Sequence, residues 1–263
     1  MDKIEKLRKI LKGMGSVVIA YSGGLDSTFL LKVAVDSLGR ENVLAVTSRS
    51  ETYPAAEYKE ASRIVKIIGA RHVVIKTKEL GIRHFKSNPV NRCYYCKKEL
   101  FKDLDRIRIK NKIKYLLDGA NYDDLKDIRH GRIAAKELGV KSPLVDAGFT
   151  KADIRKDSKR FRLPTWDKPP LACLASRFPF HTAINAKDLK RIDSAEAYLR
   201  RLGFKQVRIR LHKDIARLEL LPGDLQKAVR LGAAITNKLK RFGFTYAALD
   251  LRGYRTGSMH ESL

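Results

Sequence analysis

The sequence predicts an α/β protein with a doubly wound parallel sheet and a smaller C-terminal α+β domain. Two observations lead to this prediction. Through the first half of the chain, short apolar runs alternate with helical patterns, which is typical of parallel strands joined by helices. After Pro164, Pro169 and Pro170, the pattern changes to paired alternating strands flanked by helices. We therefore expect two domains, at residues 1–168 and 169–263.

In the first domain, each predicted strand is a short apolar run, and several predicted helices carry start or stop signals. Pro54 suits the first turn of a helix, Gly69 suits the position after a helix, and Thr150 suits an N-cap. The predicted strands are 16–21, 43–48, 72–77 and 113–119. The predicted helices are 29–38, 54–69, 97–109, 128–138 and 150–161.

The second domain has a different order of elements. QVRIRLH and IARLELL alternate apolar and polar residues, as half-buried paired strands do. Pro222 marks the start of a helix that follows them. The predicted elements are a helix at 186–202, strands at 206–212 and 215–221, a helix at 222–241 and a strand at 245–253.

The composition excludes a membrane-spanning protein but leaves the binding partner open. Hydrophobic residues make up 44% of the 263 residues, yet no run approaches the roughly 20 apolar residues that a membrane helix needs. The charged N-terminus does not resemble a secretory signal, and three cysteines do not suit a disulfide framework, so we expect a cytoplasmic protein. The net charge of +26 attracts polyanions, but charge alone does not decide the function.

A glycine-rich loop, SGGLDST, joins the first strand to the first helix. Its glycines allow a sharp turn, and its backbone N–H groups and the helix N-terminus attract an anion. Neither GxxxxGK[ST] nor GxGxxG is present, so a kinase-type P-loop and a dinucleotide-binding fingerprint are both excluded. The sequence therefore predicts an anion site at the carboxyl end of a parallel strand.

The three cysteines allow several interpretations. Cys93 and Cys96 form a C-x2-C pair that can hold one metal centre, and Cys173 stands alone. A structural zinc needs a fourth ligand, for which His84 is a candidate, and a redox dithiol leaves Cys173 without a role. A [4Fe–4S] cluster on three cysteines leaves one iron open for a ligand such as sulfide. Inert thiols are the remaining alternative.

The SGGLDS segment resembles the PP-loop of the ATP pyrophosphatases, whose fold is the adenine nucleotide alpha-hydrolase type. In that superfamily the loop holds the pyrophosphate of ATP while an oxygen of a second substrate is adenylated. Asp26 matches a position associated with Mg²⁺ and pyrophosphate, where a carboxylate can hold a cation. We expect the ATP-binding residues to be Ser22, Gly23, Gly24, Asp26, Ser27 and Thr28, with Ser48 and Gly119 at neighbouring strand ends.

Over essentially its whole length the chain resembles the LarE family, in its three-cysteine form. LarE proteins are pyridinium-3,5-biscarboxylic acid mononucleotide sulfurtransferases that help to build the nickel-pincer cofactor. Besides the PP-loop and the CxxC pair, the matching segments are DGANYDDLKDIRHGRIAAKELGVKSPL (118–144), LPTWDKPPLACLASRFPF (163–180), VRIRLHKDIARLE (207–219) and LRGYRTGSM (251–259).

The resemblance implies adenylation followed by sulfur transfer. MgATP would adenylate a substrate carboxylate with release of pyrophosphate, and a sulfur nucleophile would expel AMP and leave a thiocarboxylate. In members with one cysteine, the residue matching Cys173 gives up its own sulfur. The additional Cys93 and Cys96 look like the form in which a [4Fe–4S] cluster on all three cysteines carries sulfide. The resemblance also implies a homo-oligomer.

Further site residues are carried over from matching motifs. Cys173, Asp26 and Arg177 are the expected catalytic residues, and Ser176 and Arg177 resemble an anion-contacting pair near the reactive sulfur that we also expect to bind the substrate. Guanidinium groups suit the phosphate and carboxylates of the implied substrate, although solvated surface arginines are the alternative. The arginines expected to bind the substrate are Arg208, Arg210 and Arg255, and the acidic residues that match a divalent-cation site, or else a solvated surface, are Glu196 and Glu219.

Three other functions compete with LarE-type sulfur transfer. A three-cysteine tRNA thiolase would explain the +26 charge better, but such enzymes often carry additional zinc modules or an RNA-binding domain, which this sequence lacks. An amide-forming ligase of the same superfamily leaves the cysteines unexplained. A non-catalytic nucleotide-binding module does not account for the intact loop. Nucleic acid is therefore a less favoured partner than a small mononucleotide.

Overall fold

The computed structural model describes residues 2–125, 130–170, 172–255 and 258, and its first half is built on a four-stranded parallel sheet. The strands lie in the order β3-β2-β1-β4, so the first strand is central. In register, Val18 of β1 lies beside Leu44 on one side and Leu116 on the other. The strands are β1 (Val17–Ala20), β2 (Val43–Arg49), β3 (Arg71–Lys76) and β4 (Tyr115–Leu117).

Helices cover both faces of this sheet, and the predicted α/β fold is confirmed. Successive side chains of a strand point to opposite faces, so Val17 and Ile19 join one apolar core and Val18 joins the other. The helices of this half are α1 (Lys3–Met14), α2 (Leu25–Leu38), α3 (Ala55–Ile68), α5 (Arg92–Lys110), α6 (His130–Glu137), α7 (Pro143–Asp146) and α8 (Lys151–Arg160).

The C-terminal part contains a mixed sheet of three strands in the order β5-β6-β7. Strands β5 and β6 are antiparallel, as the alternating pattern predicts, and β6 and β7 are parallel. The strands are β5 (Val207–His212), β6 (Ile215–Leu220) and β7 (Tyr246–Leu249). The helices are α9 (Ala186–Arg201), α10 (Leu225–Arg230) and α11 (Gly232–Arg241), and a short α4 (Arg83–Lys86) precedes them in the chain.

Backbone contacts divide the chain into two units. The first consists of Met1–Ser50, Glu57–Lys78 and Asn91–Leu171, and the second of Glu51–Ala56, Glu79–Val90 and Ala172–Leu263. Two short segments from the first half thus belong to the second unit. The domain division at residues 168/169 stays a prediction.

Several element boundaries differ from the predictions. The N-terminal segment forms α1, which was not predicted, and it buries Leu7 and Leu11 on its apolar face. The helix expected at 97–109 spans Arg92–Lys110, so Cys93 and Cys96 lie in its first turns, and Phe101 and Leu104 are buried further along it. Residues 128–129, expected to begin a helix, lie outside the described part of the chain.

The single helix expected at 222–241 is wrong. A short 3-10 turn at Pro222–Asp224 leads into α10, and Leu231 then separates α10 from α11. Ala228 is buried on α10, and Ile235 and Leu239 are buried on α11. Among the described residues, no helix is both long enough and apolar enough to cross a membrane.

Candidate functional site

The PP-loop follows the central strand of the first unit and begins α2. Gly23 has a positive φ of 67°, a conformation that favours glycine. A Cβ atom on Gly23 would lie 2.4 Å from the Cβ of Ala61, so a larger residue has no room. Gly24 is the N-cap of α2, and Asp26 lies in its first turn. The loop thus presents the positive end of a buried helix at the carboxyl edge of the sheet.

The hydroxyl groups of the loop form a local hydrogen-bond network. The Oγ atoms of Ser22 and Ser27 are 3.1 Å apart, and the Ser22 backbone N–H donates to Ser27 Oγ over 3.3 Å. Thr28 Oγ1 lies 3.3 Å from the hydroxyl of Tyr21. Burial raises the pKa of Tyr21 to about 12, so this phenol stays protonated at neutral pH. The network holds the loop hydroxyls in place around the start of α2.

Two neighbouring strand ends lie at the same edge of the sheet. Gly119 follows β4, and a Cβ atom there would lie 3.0 Å from the backbone nitrogen of Ser27. Ser48, near the end of β2, has its Oγ 2.5 Å from Thr77 Oγ1. Gly119 therefore packs directly against the PP-loop. The Ser48 side chain forms a hydrogen bond with Thr77.

Cys93 and Cys96 lie on α5 in the first unit. They are three residues apart on a helix, so their side chains lie on neighbouring positions of one face. Neither is part of a disulfide, and Cys93 is exposed. His84, the fourth ligand in the zinc interpretation, is exposed on α4.

Cys173 lies in the second unit, directly before a 3-10 turn at Leu174–Arg177. Arg177 Nη1 donates to the carbonyl oxygens of Ala172 and Cys173, both over 3.1 Å, and to Ser176 Oγ over 2.8 Å. The Ser176 hydroxyl itself donates to the Cys173 carbonyl over 2.9 Å. The side chains of Ser176 and Arg177 therefore hold the backbone of Cys173, which is partly buried.

Arg177 is in turn fixed by a carboxylate. Its Nε and Nη2 donate to the two oxygens of Glu196 over 2.8 and 2.9 Å, with Arg177 1% exposed and Glu196 fully buried. Burial penalises both charges, yet their mutual attraction and hydrogen bonds raise the pKa of Arg177 and lower that of Glu196. Arg200 and the backbone N–H of Ile209 also donate to Glu196.

A second buried carboxylate, Glu219, organises the neighbouring strands. Arg210 donates through Nε to Glu219 over 2.9 Å and through Nη1 to the Ser176 carbonyl over 2.7 Å. Ser258 links the two, accepting from Arg210 and donating to Glu219. Arg217 bridges Glu219 and Asp250, which also pairs with Arg255.

Arg208 lies on the same face of β5 as Arg210, as their spacing predicts. Its guanidinium is buried and lies 5.6 Å from the Tyr254 ring centre. Burial, and then repulsion from Arg177, lower the pKa of Arg208 to about 10. Burial therefore makes the charge of Arg208 costly, and an anionic ligand beside it would offset part of that cost.

Comparison with known proteins gives the family. The NAD synthase family matches residues 3–125, which contain the PP-loop. The chain is 37% identical to the pyridinium-3,5-bisthiocarboxylic acid mononucleotide synthase of Lactiplantibacillus plantarum, over 96% of this chain and 92% of that protein. The chain belongs to the LarE family. It is an ATP-dependent sulfurtransferase.

Two uncharacterized proteins also match along nearly their whole length. One, from Synechocystis sp. (strain ATCC 27184 / PCC 6803 / Kazusa), is 41% identical over all of this chain and 98% of its own. The other, from Methanocaldococcus jannaschii, is 31% identical over 97% of this chain and 98% of its own. The resemblance seen in the sequence is thus confirmed at the level of the family.

For this LarE-family chain, the arginines change the interpretation of the acidic residues. Glu196 and Glu219 are fully buried and bonded to guanidinium groups, so the solvated-surface alternative is wrong for both. Arg208 and Arg210 are likewise buried. Within the described ranges, no group of three or more His, Cys, Asp or Glu side chains is arranged to hold a metal ion.

Sequence reasoning missed several residues of these networks. Lys168 contacts the PP-loop, Arg200 pairs with Glu196, and Asp250 joins Arg217 to Arg255. Lys168 lies within the segment 163–180 that resembles the family, but nothing in its spacing indicates its partner. Asp250 directly follows β7, where strand ends commonly carry polar site residues.

Proposed function

We propose that this protein adenylates a carboxylate of pyridinium-3,5-biscarboxylic acid mononucleotide and converts it into a thiocarboxylate for the nickel-pincer cofactor. The observation that carries the proposal is the end-to-end similarity to the Lactiplantibacillus plantarum synthase, 37% identical over 96% of this chain. The intact PP-loop and the fixed backbone of Cys173 support the two halves of the reaction.

The first half is adenylation. A carboxylate oxygen attacks the α-phosphorus of ATP, and the bond to the β-phosphate oxygen breaks, so pyrophosphate leaves. Backbone N–H groups at the start of α2 and the hydroxyls of Ser22, Ser27 and Thr28 suit the negative phosphate oxygens. Asp26, in the first turn of α2, would hold Mg²⁺, which neutralises charge on the leaving group. Ser48 and Gly119 are proposed as backbone contacts to the nucleotide.

The second half is sulfur transfer. Hydrosulfide, or the Cys173 thiolate, attacks the acyl carbon of the adenylate, and AMP leaves with the electrons of the broken C–O bond. With hydrosulfide the product is directly a thiocarboxylate. With Cys173 the product is a thioester, and the thiocarboxylate is released when a base removes the α-proton of Cys173 and its Cβ–S bond breaks, which leaves dehydroalanine in the chain. Arg177 and Ser176 fix the backbone of Cys173, so we propose them as positioning residues for the sulfur.

The arginines of the second unit are proposed to bind the substrate. Guanidinium groups match phosphate and carboxylate oxygens, and this substrate carries both. The lowered pKa of Arg208 is caused first by burial and then by Arg177, so an anion beside Arg208 would offset an unfavourable field. We propose that Arg208, Arg210 and Arg255 hold the substrate, while Glu196 and Glu219 orient the arginines instead of holding a divalent cation.

We further propose a [4Fe–4S] cluster on Cys93, Cys96 and Cys173. The donor chemistry fits, because none of the three cysteines is in a disulfide and thiolates are the usual cluster ligands. The described residues contain no preassembled group of three metal-binding side chains, so ligation would require the cysteine side chains to be arranged by binding. When bound, the cluster would supply an open iron for sulfide.

Oligomeric state and location are proposals of the same kind. We propose a homo-oligomer, as the family resemblance implies. Cysteines without disulfides favour a reducing compartment, so we propose the cytoplasm.

AMP release tests the proposal. Anaerobically reconstituted protein receives MgATP and sulfide, with the pyridinium biscarboxylate mononucleotide as acceptor. We expect AMP, pyrophosphate and thiocarboxylate over many turnovers. One sulfur per chain at most would identify Cys173 as the sulfur source and overturn the cluster. No AMP with this acceptor would overturn the assigned substrate.

The net charge of +26 favours tRNA as a second candidate acceptor, because a phosphate backbone binds basic surfaces strongly. The same assay therefore includes unmodified tRNA. AMP formation with tRNA alone would establish a tRNA thiolase in place of the mononucleotide enzyme.

A further inference from the structure

Lys168 contacts the PP-loop of the first unit although it lies far from it in sequence. Its Nζ donates to the Gly23 carbonyl over 3.0 Å and forms an ion pair with Glu57 Oε2 over 2.7 Å. The Lys168 side chain is only 15% exposed. An ammonium group thus stands at the turn of the loop where phosphates are proposed to bind.

The segment that carries Lys168 is anchored to α8. Arg155 donates through Nη1 to the carbonyl of Trp166 over 2.8 Å and through Nη2 to the carbonyl of Lys168 over 2.9 Å. Lys159 lies over the Trp166 ring at 4.9 Å, and Thr165 is buried. The backbone of Lys168 is therefore fixed, whereas its four-carbon side chain can redirect the ammonium by rotation.

The PP-loop itself carries no basic side chain, so the Lys168 ammonium can supply positive charge beside it. Residues 22–28 contain no lysine or arginine and one acid, Asp26, whereas the kinase-type P-loop carries its own lysine. The leaving pyrophosphate gains negative charge, and a helix N-terminus supplies only about half a unit of positive charge. A basic side chain from elsewhere in the chain is therefore needed beside Mg²⁺, and Lys168 is in place to supply it.

We propose that Lys168 binds the β- and γ-phosphates of ATP and the pyrophosphate that leaves, with Glu57 as the counter-ion that competes for its ammonium. This inference rests on the proposed use of the PP-loop for ATP. An ammonium has three N–H donors, one of which donates to the Gly23 carbonyl, while Glu57 Oε2 lies 2.7 Å from Nζ as the ion-pair partner. A second donor serves a first phosphate oxygen, and exchange of Glu57 for phosphate serves another.

The test measures binding of magnesium pyrophosphate and, separately, of AMP to the full chain by isothermal titration calorimetry. We expect Lys168→Met to weaken pyrophosphate binding by about tenfold to a hundredfold, the range for one hydrogen bond to a charged group, with AMP affinity unchanged. Lys168→Arg keeps part of the affinity. Glu57→Gln tightens pyrophosphate binding, and the double variant behaves like Lys168→Met, because Glu57 acts only through Lys168.

Lys66→Met is the matched control, since it removes one exposed positive charge from α3 in the same unit. It should leave both affinities unchanged. Equal loss of pyrophosphate and AMP binding in Lys168→Met, with a lowered unfolding temperature, would reduce Lys168 to a structural role and overturn the inference. Unchanged pyrophosphate binding in that variant would overturn it while leaving the proposed function intact. A wild-type chain that binds neither MgATP nor pyrophosphate would overturn both.

Discussion

Arg177 and Glu196 form a two-pronged ion pair, Nε to Oε1 at 2.8 Å and Nη2 to Oε2 at 2.9 Å, inside the second unit. The same guanidinium reaches the Cys173 carbonyl, so a carboxylate on α9 determines where the backbone of a proposed reactive cysteine lies. A buried charge whose partner is removed keeps its desolvation cost. The pair therefore couples the stability of this unit to the geometry around Cys173.

Replacing Glu196 by Gln should destabilise the protein strongly. The variant leaves Arg177 charged and buried without its counter-ion, and it weakens the contacts of Arg200 and Ile209. We expect a loss of about 3–5 kcal/mol in the free energy of unfolding, measured by urea titration at pH 7. Asp103→Asn, which breaks the exposed pair with Arg106, is the control and should cost less than about 1 kcal/mol. Similar losses of stability in Glu196→Gln and Asp103→Asn would contradict a large cost for leaving Arg177 buried without its counter-ion.

Local signals allowed much of the fold and the phosphate loop to be predicted, while the partners of buried charges could not be. The strand before Ser22 and the helix after Gly24 are recognisable because their patterns lie within a few residues. Glu196 was identified as a site residue, but its pairing with Arg177 joins positions 19 residues apart and depends on tertiary packing. The break at Leu231 is followed directly by Gly232, a residue that commonly ends a helix, so a local signal was present there but was not used in the prediction.

Gly23→Ala should weaken nucleotide binding severely. The positive φ of Gly23 strains a residue with a Cβ, and that atom would lie 2.4 Å from the Cβ of Ala61, so the loop must move. We expect a loss of at least about tenfold in MgATP affinity by calorimetry, because the N–H groups of the loop no longer converge. Gly13→Ala is the matched control, since Gly13 lies in α1 and a Cβ atom added there would have nothing within 4 Å. That control should bind MgATP normally and be slightly more stable.

The charge of the Asp153 carboxylate should stabilise the folded protein at neutral pH and lose this effect in strong acid. Burial alone would raise the pKa of Asp153, but hydrogen bonds from Lys3 and Thr150 lower it from 3.8 to about 2. A carboxyl with a lowered folded-state pKa stabilises the protein above about pH 4 and loses this contribution as the pH falls towards about 2. Asp153→Asn should therefore cost about 1 kcal/mol at pH 7, typical of a helix cap, and the difference from wild type should shrink between about pH 4 and 2.

Urea titrations at pH 7, 4, 3 and 2.5 check this dependence. Other carboxyls also titrate in this range, so the informative quantity is the difference between wild type and Asp153→Asn. Asp167→Asn, at an exposed position of the same unit, should show no such trend. A difference that stays constant on acidification would mean that the capping box of α8 does not need the charge of Asp153.

The three cysteines should differ in their effect on turnover. With a cluster as sulfide carrier, Cys93→Ser and Cys96→Ser each remove a ligand, so iron content, the visible absorption of the cluster and multiple turnover should be lost together. With Cys173 as a sacrificial donor, the same variants should still transfer about one sulfur per chain, and the mass of the chain should fall by one H₂S. Cys173→Ser should abolish transfer in both cases while adenylation of the substrate at the PP-loop, measured as pyrophosphate release, persists. Mass spectrometry of the chain together with thiocarboxylate counting therefore separates the two sources of sulfur, because only one of them consumes the protein.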